Sequence, residues 1–77
     1  MEQKQQIKQA VLTFFGSVDK GFEFQRRTLT TYVCAILETE RTVELDNDIM
    51  RYVRQMRQDG EISYMVASRK LGKYVKA

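Results

Sequence analysis

Apolar residues recur along the first stretch of the chain at the spacing of a helix face. Ile7, Ala10, Val11 and Phe14 fall at i, i+3, i+4 and i+7, with Lys4, Lys8 and Gln9 off that stripe. This predicts an amphipathic helix over about residues 3–15. Gly16 and Ser17 are expected to stop it, and Asp19-Lys20-Gly21 to continue as a loop. Phe22-Glu23-Phe24 then alternates apolar and polar, the pattern of a very short strand. A second helix is predicted over about 25–37, where Leu29, Tyr32, Val33 and Ile36 share a face and Leu37 widens it. Its β-branched residues (Thr28, Thr30, Thr31, Val33, Ile36) lower its intrinsic propensity, so packing must hold it.

The connection over 38–45 is polar, with Val43 and Leu45 as its candidate anchors. Asp46 reads as the N-cap of a third helix and Asp48 as a first-turn acid suited to the helix dipole. That helix is expected to run to about Gln58 and to end at Asp59-Gly60, with Ile49, Tyr52, Val53 and Met56 on its inward arc. Over 61–67 the pattern returns to alternation, with Ile62, Tyr64 and Val66 on one side and Ser63 and Met65 on the other. Residues 68–72 form a turn and 73–76 a return strand, completing a β-hairpin. No internal repeat or low-complexity stretch interrupts this order. The expectation is α+β: three helices, a short strand after the first, and a C-terminal hairpin, in one domain over 1–77.

That order resembles the winged helix-turn-helix superfamily over nearly the whole chain. The pattern that carries the resemblance most specifically is Ile49-x-x-Tyr52-Val53-x-x-Met56-x-x-x-Gly60-x-Ile62. It looks like the family's third helix running through an Asp-Gly turn into the first strand of the wing. The resemblance implies that this helix enters the major groove of double-stranded DNA. It implies also that the hairpin, as the wing, lies along the backbone or reaches the minor groove. The connection of about eight residues between the second and third helices departs from the pattern, since such turns usually take three or four.

Charge adds to this reading through its distribution. The net charge is +3, made of +2 over residues 1–37, −4 over 38–48 and +5 over 49–77. Such a polarised surface steers an anionic partner toward one side. Opposite the inward arc of the third helix lie Asn47, Arg51, Arg54, Gln55 and Gln58, with no carboxylate among them. Arg bonds guanine bidentately, and Asn or Gln bonds adenine, so these five are the candidate base contacts. A solvated helix face shows the same residue types, since Arg and Gln are good helix formers. Arg69 and Lys70 at the hairpin turn and Lys73 on the return strand are candidate backbone contacts. Arg26, Arg27 and Thr28, opening the second helix, join them by resemblance to the family. Lysine and arginine also populate hairpin edges simply to discourage aggregation.

The functional expectation is sequence-selective binding of double-stranded DNA by a small cytoplasmic protein, a regulator of transcription or an accessory of recombination or replication. The alternative is a winged helix used for protein contact or self-association through the acidic segment 38–48, including Glu38, Glu40 and Glu44. A homodimer or a protein partner is expected to supplement a lone domain of such modest charge. If exposed, Met65 and Leu12 would mark a dimer contact; otherwise they and Met50 fill gaps in the core.

Other chemistries find little support. The chain has no His and one Cys, Cys34, so neither a Cys–His nor a Ser–His pair can form, nor a structural zinc site. No glycine-rich phosphate loop or calcium-loop spacing appears. We therefore expect no enzymatic activity, no small-molecule substrate, no cofactor and no metal. The lone cysteine suits a reducing compartment. The polar N-terminus is unlike a signal peptide, and no apolar run approaches the roughly 18 residues of a membrane span.

Overall fold

The computed structural model describes residues 2–77 and, of their side chains, those from Lys4 onward; Met1 lies outside them. The chain runs through α1 (Glu2–Ser17), β1 (Glu23–Gln25), α2 (Arg26–Leu37), α3 (Val43–Gln58), β2 (Tyr64–Ser68) and β3 (Lys73–Lys76). This is an α+β arrangement of three helices and a three-stranded antiparallel sheet. The sheet order is β1-β3-β2, so the return strand of the hairpin is central and the short strand after α1 pairs with it.

The helical stripe of α1 buries as its spacing predicts, with Ile7, Ala10, Val11, Phe14 and Phe15 all in the core. Gly16 and Ser17 do not stop the helix before Ser17. The Ser17 hydroxyl donates back to Phe14 O at 2.8 Å. From the far end of the chain, the Lys76 ammonium donates to Phe15 O and Val18 O at 2.5 and 2.7 Å. A cation bonded to the last carbonyls of a helix satisfies orphan acceptors and suits the dipole. Lys76 is thus committed to holding α1 against β3. Below it an aromatic cluster joins helix to sheet: Phe24 of β1 meets Phe14 and Phe15 edge-on at 5.2 and 5.5 Å.

Two features of α2 differ from the sequence pattern. Leu29 and Val33 are buried as expected, but their burial partners are Thr30 and Cys34, and Ile36 is 44% exposed. The buried face is therefore rotated by about one residue, which the Thr30 hydroxyl permits by donating to Arg27 O within the helix. The helix ends at Glu38, in the left-handed region at φ 57°, with its N–H on Ala35 O and that of Thr39 on Cys34 O. A residue at this position normally favours glycine.

Helix α3 begins earlier than its pattern suggests. Thr42, not Asp46, is the N-cap, its hydroxyl accepting from the Leu45 N–H at 3.0 Å. Asp46 sits in the first turn and pairs with Arg41 at 3.3 Å. The connection between α2 and α3 is consequently five residues, 38–42, and not eight. Val43 is no anchor, being 77% exposed, whereas Leu45 is buried as expected. Ile49, Met50, Val53 and Met56 carry α3 into the core, with Tyr52 half-buried at its margin. Asp59-Gly60 ends it as predicted: Gly60 takes φ 81°, and the Glu61 N–H reaches Met56 O at 2.9 Å.

In the hairpin, Ile62 and Tyr64 are buried, but Val66 is 39% exposed, on the floor of an open cleft beside α3. The strand begins at Tyr64 and not at Glu61, and a bulge at Ala67 shifts the register between Val66 and Ser68. Among the described residues no helix is long and apolar enough to cross a membrane.

Candidate nucleic-acid interface

The N-terminus of α2, the outer face of α3 and the hairpin turn meet at Arg26. Its backbone N–H donates to Gly72 O at 2.8 Å, and its guanidinium donates to the Asn47 side-chain oxygen at 2.9 Å. Gly72 takes φ 65° in the turn, and a Cβ there would lie 3.7 Å from the Arg26 Cβ. Three elements distant in sequence are thereby held in one surface. The bond that the Arg26 N–H donates to Gly72 O also stands in for a side-chain cap on α2, which Gln25 does not supply. That helix has no acid in its first turn; it has Arg26 and Arg27 instead, both exposed. Cations at a helix N-terminus oppose the dipole, and a bound anion relieves the conflict.

All five candidate base contacts, Asn47, Arg51, Arg54, Gln55 and Gln58, are exposed on α3. The face is not free of carboxylates, however, because the earlier start of α3 brings Asp48 into its second turn. Arg51 pairs with Asp48 at 2.9 Å, and the Gln55 amide donates to Asp59 at 3.2 Å. These two line a hollow of about 400 Å³ against α1, together with Lys4, Lys8 and Tyr52. The flank of α3 toward α1 is therefore internally neutralised in part.

The flank toward the hairpin is different. Arg54 and Arg57 of α3 and Arg69 of the hairpin turn line a cleft of about 300 Å³, floored by Met50, Tyr64, Val66 and Tyr74. Among the described residues no carboxylate lines it. The ion pairs among the described residues involve none of these three arginines. The Arg57 guanidinium lies over the Tyr64 ring at 4.7 Å, a cation–π contact that fixes its position. Burial pushes the Tyr64 phenol up from its ordinary value, an effect that the neighbouring Arg57 and Arg54 oppose. At neutral pH the ring is uncharged, so the cleft keeps its full positive charge.

Lys70 is exposed at the hairpin turn beside Arg69, and Lys73, half-buried, lies opposite Gln25 of β1. Arg27 and Thr28 are exposed in the first turn of α2. Sequence reasoning missed Arg57, which a helical wheel places next to the buried arc and not on the outer face. The signal available was its spacing from Arg54, one turn earlier on α3.

Cys34 is buried and its thiol is pushed up, first by burial, then by the negative Asp46 nearby, with Arg41 acting the other way. No group of three metal-ligating side chains occurs among the described residues. Comparisons with known protein families, with characterised proteins and with solved structures find no match.

Proposed function

We propose that the chain is a winged helix-turn-helix domain that binds double-stranded DNA, with α3 in the major groove and the β2–β3 hairpin as a wing along the backbone. The observation that carries this reading is the cleft where Arg54, Arg57 and Arg69 converge without an acid. Three guanidinium groups repel one another, and a polyanion is the partner that turns their proximity into affinity. The side-chain types on α3 support a direct reading of base edges, and Arg26 with Asn47 extends the same surface to α2.

The contacts of each side chain support different weights for the candidates. Arg54 is free of acids, whereas Arg51 must exchange Asp48 for a base edge. Arg54→Ala is expected to cost about 1–3 kcal/mol of binding and to relax preference at one base. Arg57→Ala and Arg69→Ala should weaken all duplexes alike and flatten the salt dependence. Anisotropy titrations of labelled duplexes that differ at single base pairs test this division. Equal losses for Arg54→Ala and Arg69→Ala on every sequence would contradict the role of α3 as reader.

A second reading, contact with a protein through residues 38–48, draws on one observation. Val43 and Ile36 stand exposed beside Glu38, Glu40 and Glu44, which enter no ion pair among the described residues. Duplex binding unchanged by Glu40→Lys and Glu44→Lys would leave that surface free for such a partner.

A further inference from the structure

Asn47 stands exposed on α3. Alone, its side chain offers an acceptor oxygen and an NH2 donor, the set that bonds adenine at N6 and N7. Here it is not alone, because the Arg26 guanidinium donates to its oxygen at 2.9 Å across 21 positions of sequence. A guanidinium carries donors only, so the Asn47 atom that faces it must be the oxygen, and the amide nitrogen turns away. Arg26 is itself held at the backbone, its N–H bonded to Gly72 O at 2.8 Å. Among the described residues no ion pair neutralises Arg26. The two side chains therefore present a cation and a set of N–H donors to solvent.

We propose, resting on the reading of α3 as a helix in the major groove, that Arg26 turns the base preference of Asn47 from adenine to guanine. To bond Asn47 bidentately, adenine must offer its N6 amino group to the Asn47 oxygen. That group would bring its hydrogens beside the guanidinium, donor against donor. The second lone pair of the oxygen does not remove the conflict, since the cation stays within hydrogen-bond reach of the same atom. Cytosine meets the same conflict through its N4 amino group. Guanine instead presents N7 and O6, both acceptors, which suit the Asn47 amide and a remaining Arg26 N–H. Thymine offers the single acceptor O4. Gln55, on the same helix, has the opposite polarity: its amide nitrogen donates to Asp59 at 3.2 Å, and its oxygen is left to accept. The neighbour of each amide sets what the amide reads. Arg26 thereby acts on a base edge and not on the phosphate backbone.

The test selects preferred duplexes from a random-sequence library with the full chain. Asn47→Ala, selected in parallel, identifies the position that Asn47 reads as the one where preference is lost. Anisotropy titrations then compare duplexes carrying each of the four base pairs at that position. The wild type is expected to favour guanine over adenine there by about tenfold. Arg26→Ala frees the Asn47 oxygen and should bring that ratio to one or below, toward adenine, with preferences elsewhere in the site kept. An Arg26 that only contacted phosphate, or only held the fold, would weaken all four duplexes alike. Both side chains are exposed and the backbone bond to Gly72 survives the substitutions, and circular dichroism verifies that each variant keeps its fold. Duplex binding with an adenine preference in the wild type overturns this inference alone. So does a guanine preference that Arg26→Ala leaves unchanged, or an Asn47→Ala variant that loses preference at no position. A wild type that binds no duplex overturns the reading of α3 as well.

Discussion

Glu38 occupies a backbone conformation that costs a side-chain-bearing residue about 1 kcal/mol, at the end of α2 where glycine is ordinarily found. Glu38→Gly should therefore stabilise the fold by about 0.5–1 kcal/mol, visible as a higher urea midpoint at unchanged slope. Tyr64 makes a prediction of the opposite sign at high pH. Its phenol holds its proton above the ordinary value of 10.0, so the folded chain binds that proton more tightly than the unfolded chain. The contribution to stability is complete below pH 10.0 and is lost as pH rises through the raised value. Tyr64→Phe should remove this alkaline loss, and a phenolate absorbance titration should show one tyrosine ionising late. Arg57, the residue that positions itself on that ring, was invisible to a reading of helix faces. Its guanidinium reaches the cleft only because β2 folds back beside α3.

At the scale of elements, the start of α3 is the point where sequence pattern and structure part. Asp46 and Asp48 resemble a helix opening, yet Thr42 caps the helix a full turn earlier and Val43 begins it in solvent. An apolar residue at N1 gives no periodic signal, so the pattern only became visible at Leu45. Thr42→Ala should cost about 1 kcal/mol through the lost cap, measured by denaturant unfolding. Asp46→Ala should act mainly through the half-buried Arg41 pair. The inward faces were more legible: Ile7, Val11 and Phe14 in α1 and Ile49, Val53 and Met56 in α3 bury where their spacing placed them. Ile49 is fully buried, and Ile49→Ala should cost about 2–5 kcal/mol. The face of α2 was less legible. Thr30 and Cys34 bury beside Leu29 and Val33 while Ile36 is exposed on the other flank, and the bond from the Thr30 hydroxyl to Arg27 O makes the burial of a threonine tolerable.

At the scale of the molecule, the uneven charge along the chain becomes a surface with two sides. The acids of 38–48 are partly consumed inside the fold, Asp46 by Arg41 and Asp48 by Arg51. The basic third leaves three arginines in one cleft, outside every ion pair among the described residues, and Lys70 exposed beside it. Sequence supplied Arg54 and Arg69 of that site but neither Arg57 nor the juxtaposition of the three, which needs β2 to fold back beside α3. The central claim is that this surface engages the phosphates of a duplex. It is tested most directly by fluorescence anisotropy on a labelled random-sequence duplex, titrated at about 50 and 200 mM salt, with single-stranded DNA as control. The account predicts duplex binding that weakens by an order of magnitude or more across that range and exceeds binding to the single strand. No duplex binding at the lower salt, or binding indifferent to salt, would contradict it.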